Sequence, residues 1–315
     1  MPPTSTTPWR LVVAVNPASA FGKQHAAGAA VCETLAAAGH TVVELRQPNF
    51  ELLRREVERE VADLTERAAR AGADAARGAL VVVGGDGMVS LGVNAVAETG
   101  IPLGIVPAGT GNDTARNLGL PLSDPAAAAR MVLEGLAREP AAYDAGKVLH
   151  EPHATWVFGA LSAGFDAAVN ERANFMSWPK GPRKYTFAVV RELLTFRAPH
   201  YRVVVDGQAR EFQAMLVAVA NHTSLGGGMR ITPEAVMDDG LFDLFVVDRM
   251  SKLRFLQIFP KVFKGEHTGF PEVHIERVRN VRIEAEGIVA YGDGERVGPL
   301  PVEISVVPGA VRLLH

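Results

Sequence analysis

The sequence predicts an α/β + β chain: a doubly wound α/β domain over residues 9–141 and an antiparallel β-sandwich from residue 142 onward. Three observations predict it. Four short strand-like runs alternate with helical stretches in the first part, and one of them, Ala79–Val83, is apolar throughout, as a parallel strand covered on both faces must be. Past Ala141 the pattern changes to one strand-like run after another. The length of 315 residues is about twice that of an ordinary domain, so two domains are expected.

The elements follow in order. Leu11–Val15 is a β-branched strand ending at Asn16-Pro17, and the Ala-rich stretch Gln24–Ala38 is a helix stopped by Gly39-His40. Thr41–Leu45 is the second strand. Residues 51–76 read as a charged surface helix whose inner face is Leu53, Val57, Val61 and Leu64. Ala79–Val83 leads straight into Gly84-Gly85-Asp86-Gly87, and helical spacing resumes over Met88–Ala97. Leu103–Val106 is followed by a second glycine loop, Pro107–Asp113, and by a helix beginning at Thr114–Leu118. A further helix spans Leu122–Ala137, with Ser123 or Asp124 as its cap and Pro125 in its first turn. Beyond Lys147 the runs ATWVFGALSAG, YRVVVDG, EFQAMLVAVAN, GLFDLFVVD, NVRIEAEG, VEISVVPG and AVRLLH read as strands. Helical interruptions are expected at Tyr185–Arg197 and, more weakly, Leu253–Lys264.

Composition narrows the function classes. With 48% hydrophobic and 21% charged residues the chain reads as globular, not disordered. A net charge of −3 provides no basic field to recruit nucleic acid. The single cysteine, Cys32, excludes an intramolecular disulfide and a cysteine metal cluster, fits a cytoplasmic location, and reads as packing. Residues 1–8 read as a frayed tail, LVVAV is too short for a signal peptide core, and no apolar run reaches the roughly 18 residues of a transmembrane helix. A lipid substrate would therefore be met from outside the bilayer.

The glycine loops carry the chemistry. Glycines between a parallel strand and a helix let backbone N–H groups approach phosphate oxygens, with the helix dipole adding to the attraction. Taken alone, Gly84–Gly87 reads equally as a tight turn with an aspartate cap. Gly109-Thr110-Gly111-Asn112-Asp113 follows the next strand, so both loops, with Asn16, lie on the carboxyl edge of one sheet, where open α/β sheets bind ligands. GxxxxGK[ST] and GxGxxG with a downstream acid are both missing, which disfavours a Walker ATPase and an ordinary dehydrogenase.

Taken in order, Asn16-Pro17, Gly84–Gly87, Gly109–Asp113 with Ala115-Arg116, Gly164-Phe165-Asp166-Ala167, Gly226–Met229, Asp238–Leu241 and Asp293-Gly294-Glu295 resemble the diacylglycerol kinase catalytic-domain family, which includes sphingosine and ceramide kinases. The resemblance covers about residues 10–315. It implies a two-domain lipid kinase with an N-domain like those of NAD kinase and phosphofructokinase. Residues 302–315 would return to that domain and leave 142–301 as the lipid-substrate domain. ATP would be held by Asn16, Gly84, Gly85, Asp86, Gly87, Met88, Val89, Ser90, Gly109, Thr110, Asn112 and Asp113, with Lys23 and Arg116 meeting phosphates or simply solvated. Asp293 would accept the hydroxyl proton, with Glu295 beside it; by itself Asp293-Gly294 reads as a β-turn. Magnesium would be held by Asp239 with the carbonyls of Val236 and Leu241, where the residues alone read equally as a capped loop entering the strand Phe242–Val247.

The chain departs from the family pattern in places. Met88 stands where the family has a threonine after Gly-Gly-Asp-Gly, Leu91 replaces a polar residue, and Ser90 offers a substitute hydroxyl. Arg46-Gln47-Pro48 stands where many members place a threonine near the adenosine, and PASAFGK replaces PxSGxGK. The stretch Asn174–Lys184, with Trp178, Lys180, Arg183 and Lys184, reads as an interfacial flap for anionic lipid or as a plain loop. The leading expectation is transfer of the ATP γ-phosphate to diacylglycerol at a membrane surface by a cytoplasmic protein that docks transiently, with a homodimer left open. Two alternatives are an NAD-kinase-like enzyme with a soluble acceptor and a binding protein weakened through Met88 and Leu91.

Overall fold

The computed structural model describes residues 8–16, 23–71, 77–150, 153–176, 187, 191–192 and 195–315. The chain divides into two units, Met1–Tyr143 with Gly309–His315, and Asp144–Pro308. The flap residues Trp178, Lys180, Arg183 and Lys184, the segment Pro17–Gly22 and most of the helix expected from Tyr185 fall outside the described residues.

The first unit runs β1 (Arg10–Val15), α1 (Lys23–Ala37), β2 (Thr41–Leu45), α2 (Phe50–Ala71), β3 (Gly78–Gly84), α3 (Asp86–Val96), β4 (Leu103–Pro107), α4 (Asp113–Asn117) and α5 (Pro125–Leu136). Its parallel sheet has the order β2-β1-β3-β4, extended by the C-terminal segment, in which Leu313 pairs with Leu103 and Leu314 with Gly104. All seven residues of β3 are buried because helices cover both faces. On one face Ala27, Val31 and Leu35 of α1 and Ala129, Val132 and Leu136 of α5 pack on Leu11, Val13, Val81 and Val83. On the other, α2 turns inward Leu53, Val57, Val61 and Leu64, all buried, while its outer face is laced by pairs such as Glu51–Arg55 and Asp63–Arg67. Asp124 caps α5 by accepting the Ala127 N–H at 2.9 Å, and Pro125 opens the helix.

Strand order reverses between β1 and β3: the chain steps to β2 on one side and later to β3 and β4 on the other. Connections leave such a switch point in opposite directions and open a crevice at the strands' carboxyl ends. Asn16 ends β1 and Gly84 ends β3, so the fold puts the first expected loops at that place.

The second unit contains β5 (Ala141–His150, which begins in the first unit), β6 (His153–Val157), β7 (Ala160–Gly164), α6 (Phe165–Phe175), β8 (His200–Val205), β9 (Gln208–Ala220), β10 (Phe242–Asp248), α7 (Lys252–Ile258), β11 (Val273–Val278), β12 (Asn280–Glu284), β13 (Val289–Gly292), β14 (Glu295–Pro299) and β15 (Val302–Leu314, which from Gly309 belongs to the first unit). The thirteen-residue β9 serves two sheets: its first half pairs with β8, its second half lies between β7 and β10. One sheet is ordered β14-β13-β7-β9-β10-β11, the other runs from β9 through β8 and β12 to β15. Leu161, Tyr201, Val203, Val217, Val219, Phe242, Val281, Ile283 and Ile304 fill a shared core, as expected when antiparallel sheets face each other. Helix α6 was not expected from the sequence, and the stretch expected as a helix over Leu253–Lys264 is a short α-helix continued by a 3-10 turn over Phe259–Lys264. Among the described residues no helix is long and apolar enough to cross a membrane.

Candidate active site

In the first unit the two glycine loops are fused. The Ala108 N–H donates to the Gly84 carbonyl at 2.8 Å, and an added Cβ on Gly109 would stand 2.4 Å from the Gly85 Cα. Only glycines allow main chain to meet main chain that closely. The second loop closes on itself through Asn112, whose Oδ1 accepts the Gly109 N–H and whose Nδ2 donates to the Gly109 carbonyl, both at 3.0 Å. Asn112 takes a left-handed φ of 54° and makes no side-chain cap for α4. That task falls to the other loop: Asp86 Oδ1 accepts the Thr114 N–H at the start of α4, at 3.3 Å. Burial pushes the Asp86 carboxyl above the usual carboxylate range, against the Thr114 hydrogen bond, and the nearby Asp113 charge adds to the rise.

The expected nucleotide contacts separate into two groups. Gly85, Asp86, Gly87, Gly109, Asp113 and Ser90 are partly exposed and Thr110 is exposed, whereas Gly84, Met88, Val89 and Asn112 are buried. Met88 does not face the loop: it is 1% exposed, its side chain fills the space beneath Gly84, and its N–H donates to the Gly85 carbonyl. The Val89 N–H does the same. Asn16 borders Gly84 and donates its N–H to the Val83 carbonyl at 3.2 Å. Arg116 is tied to the loop, bonding Asp113 at 2.9 Å and the Gly111 carbonyl at 3.1 Å.

In the second unit Asp293 and Gly294, with φ of 50° and 83°, form the two-residue turn between β13 and β14. The Asp293 carboxylate accepts the N–H groups of Phe158, Gly159 and Ala160 at 2.7, 2.8 and 3.0 Å, and its own N–H donates to Ala160. Three amides aimed at one carboxylate fix its position. Asp206, in the matching Asp-Gly turn between β8 and β9, accepts the Arg279 and Asn280 N–H groups, so amide capture alone does not mark a catalytic aspartate. What sets Asp293 apart is its support. A Cβ on Gly159 would meet Asp293 Oδ1 at 2.8 Å and His222 Nδ1 at 3.0 Å. His222 is sealed in, edge-on to Phe158, and burial holds its pKa down at about 3, so the ring is neutral. Asn221 holds the same turn by donating to the carbonyls of Phe158 and Asp144. Glu295 heads β14, exposed, and takes no part in the amide cradle.

The Asp239 segment is arranged differently from the expected magnesium set of Val236, Asp239 and Leu241. Asp239 Oδ2 is paired with the Arg277 guanidinium, and its Oδ1 accepts the Leu241 N–H at 3.1 Å. Arg277 also lies 3.9 Å from Asp243. Buried Asp144 clamps the turn by accepting the Gly240 N–H at 2.6 Å. With both Asp239 oxygens engaged and a guanidinium supplying the positive charge, this donor set does not fit a divalent cation as it stands. Asp144, Asn221 and His222 were not among the expected site residues. They are isolated polar residues in apolar runs, and only their spatial neighbours reveal their part.

Comparison with known proteins bears on these features. Residues 10–148 match the model of the diacylglycerol kinase catalytic domain, and residues 159–315 match the YegS C-terminal NAD kinase beta sandwich-like domain. A diacylglycerol kinase of Mycobacterium tuberculosis is 42% identical over 239 residues, covering 75% of this chain and 76% of that protein. The chain belongs to the diacylglycerol kinase family. The family member of Bacillus subtilis is 28% identical over 71% of this chain and 73% of its own length. Among solved structures, a diacylglycerol kinase from Bacillus anthracis superposes with a TM-score of 0.66 at 21% identity, over 99% of this chain and 98% of that one. An NAD kinase from Archaeoglobus fulgidus, solved with ATP, gives 0.53 at 12% identity over 98% and 93%. These structural likenesses bear on the fold: an α/β unit followed by a β-sandwich like that of NAD kinase. As a member of this family the chain is a kinase, and the fused loops and the cradled Asp293 are its candidate machinery.

Proposed function

We propose that this kinase transfers the γ-phosphate of ATP to a lipid hydroxyl, converting diacylglycerol to phosphatidic acid. The observation that carries the reading is the fusion of Gly84–Gly87 with Gly109–Asp113 at the switch point of a parallel sheet, in a chain of the diacylglycerol kinase family. Glycine backbone at strand ends is suited to phosphate oxygens, and the α3 N-terminus contributes its dipole. Asp86, partly exposed in the first loop and paired with no arginine or lysine among the described residues, is a hard-oxygen donor of the kind that holds magnesium together with substrate phosphates, whereas Asp113 is already bonded to Arg116. Bound there, magnesium would neutralise charge on the phosphates. Asp239 has no part in this, since Arg277 already pairs with it.

Asp293 is the proton acceptor. The acceptor hydroxyl oxygen forms the new bond to phosphorus, the bond to the bridging oxygen of ADP breaks, and the hydroxyl proton passes to the carboxylate. The Phe158–Ala160 amides hold that carboxylate in one place, which favours an aligned encounter. Glu295 is a second carboxylate on the same hairpin.

The test is transfer from γ-labelled ATP to a total lipid extract and to defined acceptors, with Asp293→Asn as the inactive variant. Asp206→Asn, which alters the matching turn, is the folding control. Transfer to no diacylglycerol, sphingosine or other glycerolipid would sink the proposal.

A further inference from the structure

A helix on a protein surface ordinarily turns apolar residues inward and polar ones to water. Helix α7 and the 3-10 turn after it do not. Phe255, Ile258 and Val262 face in, with Ile258 and Val262 buried and Phe255 against Phe165 at a centroid distance of 5.1 Å. The outer side is apolar as well: Leu253 is 76% exposed, Leu256 52% and Phe263 49%. Leu253 and Leu256 share a face by their i, i+3 spacing. Phe259 links the two sides, stacked on Phe255 at 5.6 Å and edge-on to Phe263 at 6.1 Å.

The charges carried by this stretch of chain have one sign. Between Asp248 and Glu266 the chain carries Arg249, Lys252, Arg254, Lys261 and Lys264 and no acidic residue, although the whole chain has a net charge of −3. Lys252, Lys261 and Lys264 are exposed. Arg254 pairs with Glu272, and both Arg254 and Lys261 lie 5.1 Å from the centre of the Phe270 ring, which anchors the ridge to the unit beneath.

We infer that the outer face of Lys252–Lys264 docks on the surface of an anionic phospholipid bilayer. Exposed leucine and phenylalanine side chains flanked by lysines match the acyl boundary and the headgroups of such a surface. A second copy of the chain fits less well, because a twofold interface would set this basic patch against itself. The inference rests on the lipid-kinase reading for its purpose, but its test does not depend on that reading.

The full chain is sedimented with substrate-free vesicles of phosphatidylcholine, with and without phosphatidylglycerol. Wild type partitions onto the phosphatidylglycerol vesicles, and Leu253→Asp/Leu256→Asp lowers that partitioning by at least about tenfold. The milder Leu253→Ser, at the more exposed position, lowers it less and guards against misfolding, which melting curves monitor. Transfer to a short-chain, water-soluble diacylglycerol stays at the wild-type level. Unchanged partitioning of the double variant overturns the inference. A wild-type dimer that the double variant dissociates, with no vesicle binding by either, overturns it too and assigns the face to a second copy. Leucine-dependent vesicle binding in a protein that transfers phosphate to no lipid leaves the docking face standing and removes the lipid-kinase reading instead.

Discussion

Replacing Gly109 by alanine tests whether the two glycine loops work as one structure. The new Cβ would sit 2.4 Å from the Gly85 Cα, 2.8 Å from Asn112 Oδ1 and 3.0 Å from the Gly85 nitrogen. Carbon atoms rest at about 3.5–4.0 Å, so the loops must part by roughly 1 Å. The Gly85 atoms it meets are backbone, and no rotamer can relieve that contact. Overpacking of this kind costs about 1–3 kcal/mol. Stretching the 2.8 Å bond from Ala108 to Gly84 adds about 1 kcal/mol. A loss of about 2–4 kcal/mol corresponds to a Tm lower by roughly 5–10 °C in a chain of this size. On the proposed function, nucleotide binding should fall further, about a hundredfold, since the loss of two charge-assisted hydrogen bonds from loop amides to phosphate would cost about 3 kcal/mol. The assay is titration with a fluorescent ATP analogue well below the melting point, beside thermal melts. Gly269→Ala is the control, since a Cβ there meets nothing within 4 Å. Wild-type nucleotide affinity in Gly109→Ala would refute the fused-loop argument.

Gly159→Ala should displace the Asp293 carboxylate by a few tenths of an ångström, since the Cβ would lie 2.8 Å from Oδ1; kcat drops at least about tenfold while the KM for nucleotide holds, and a matching rise in KM would contradict it. Asp166 lies at the start of α6 with Oδ1 sealed from water and unpartnered, and burial raises its carboxyl pKa. A raised carboxyl contributes stability below its unfolded pKa of about 3.9 and loses it as pH climbs through the folded value. Asp166→Asn should therefore melt above wild type at neutral pH, with the gap closing toward pH 4; parallel Tm curves would defeat the reasoning. Arg277→Gln removes the cation from exposed Asp239, a pair worth at most about 1 kcal/mol, and from buried Asp243, which adds to the loss, so Tm should fall by at least about 2 °C. Without nucleotide, magnesium should raise the Tm of that variant and leave wild type unmoved, and the reverse pattern would restore a metal role to Asp239.

The parallel sheet was legible because burial on both faces leaves a local signature. Ala79–Val83 lies within β3, and Thr41–Leu45 is β2 to the residue. Elements shaped by tertiary context were harder to see. Strand β5, AAYDAGKVLH, mixes polarity because only part of it is buried, and α6, GFDAAVNERANF with its preceding glycine, follows a strand with no capping side chain to announce it. Loop chemistry was likewise visible as glycine and aspartate in order, but side-chain direction was not. Met88 was expected where a hydroxyl meets phosphate, yet as the third residue of α3 it turns inward under Gly84. Asp239 carried a motif, and no motif could disclose that Arg277, 38 residues later, pairs with it. The Asp293 turn was foreseen as a turn; its cradle depends on a glycine 134 residues away.

The segment Gly309–His315 belongs to the first unit, and Leu313 and Leu314 lie alongside β4 there. During synthesis β1 to β4 leave the ribosome long before that partner strand exists. Until residue 314 emerges, β4 is an uncovered sheet edge, open to the wrong strand. The second unit, by contrast, has every residue it needs once Pro308 is out. Order of synthesis and order of completion are thus inverted: the unit that starts first closes last, and its glycine loops gain their finished sheet only when nearly the whole chain is present.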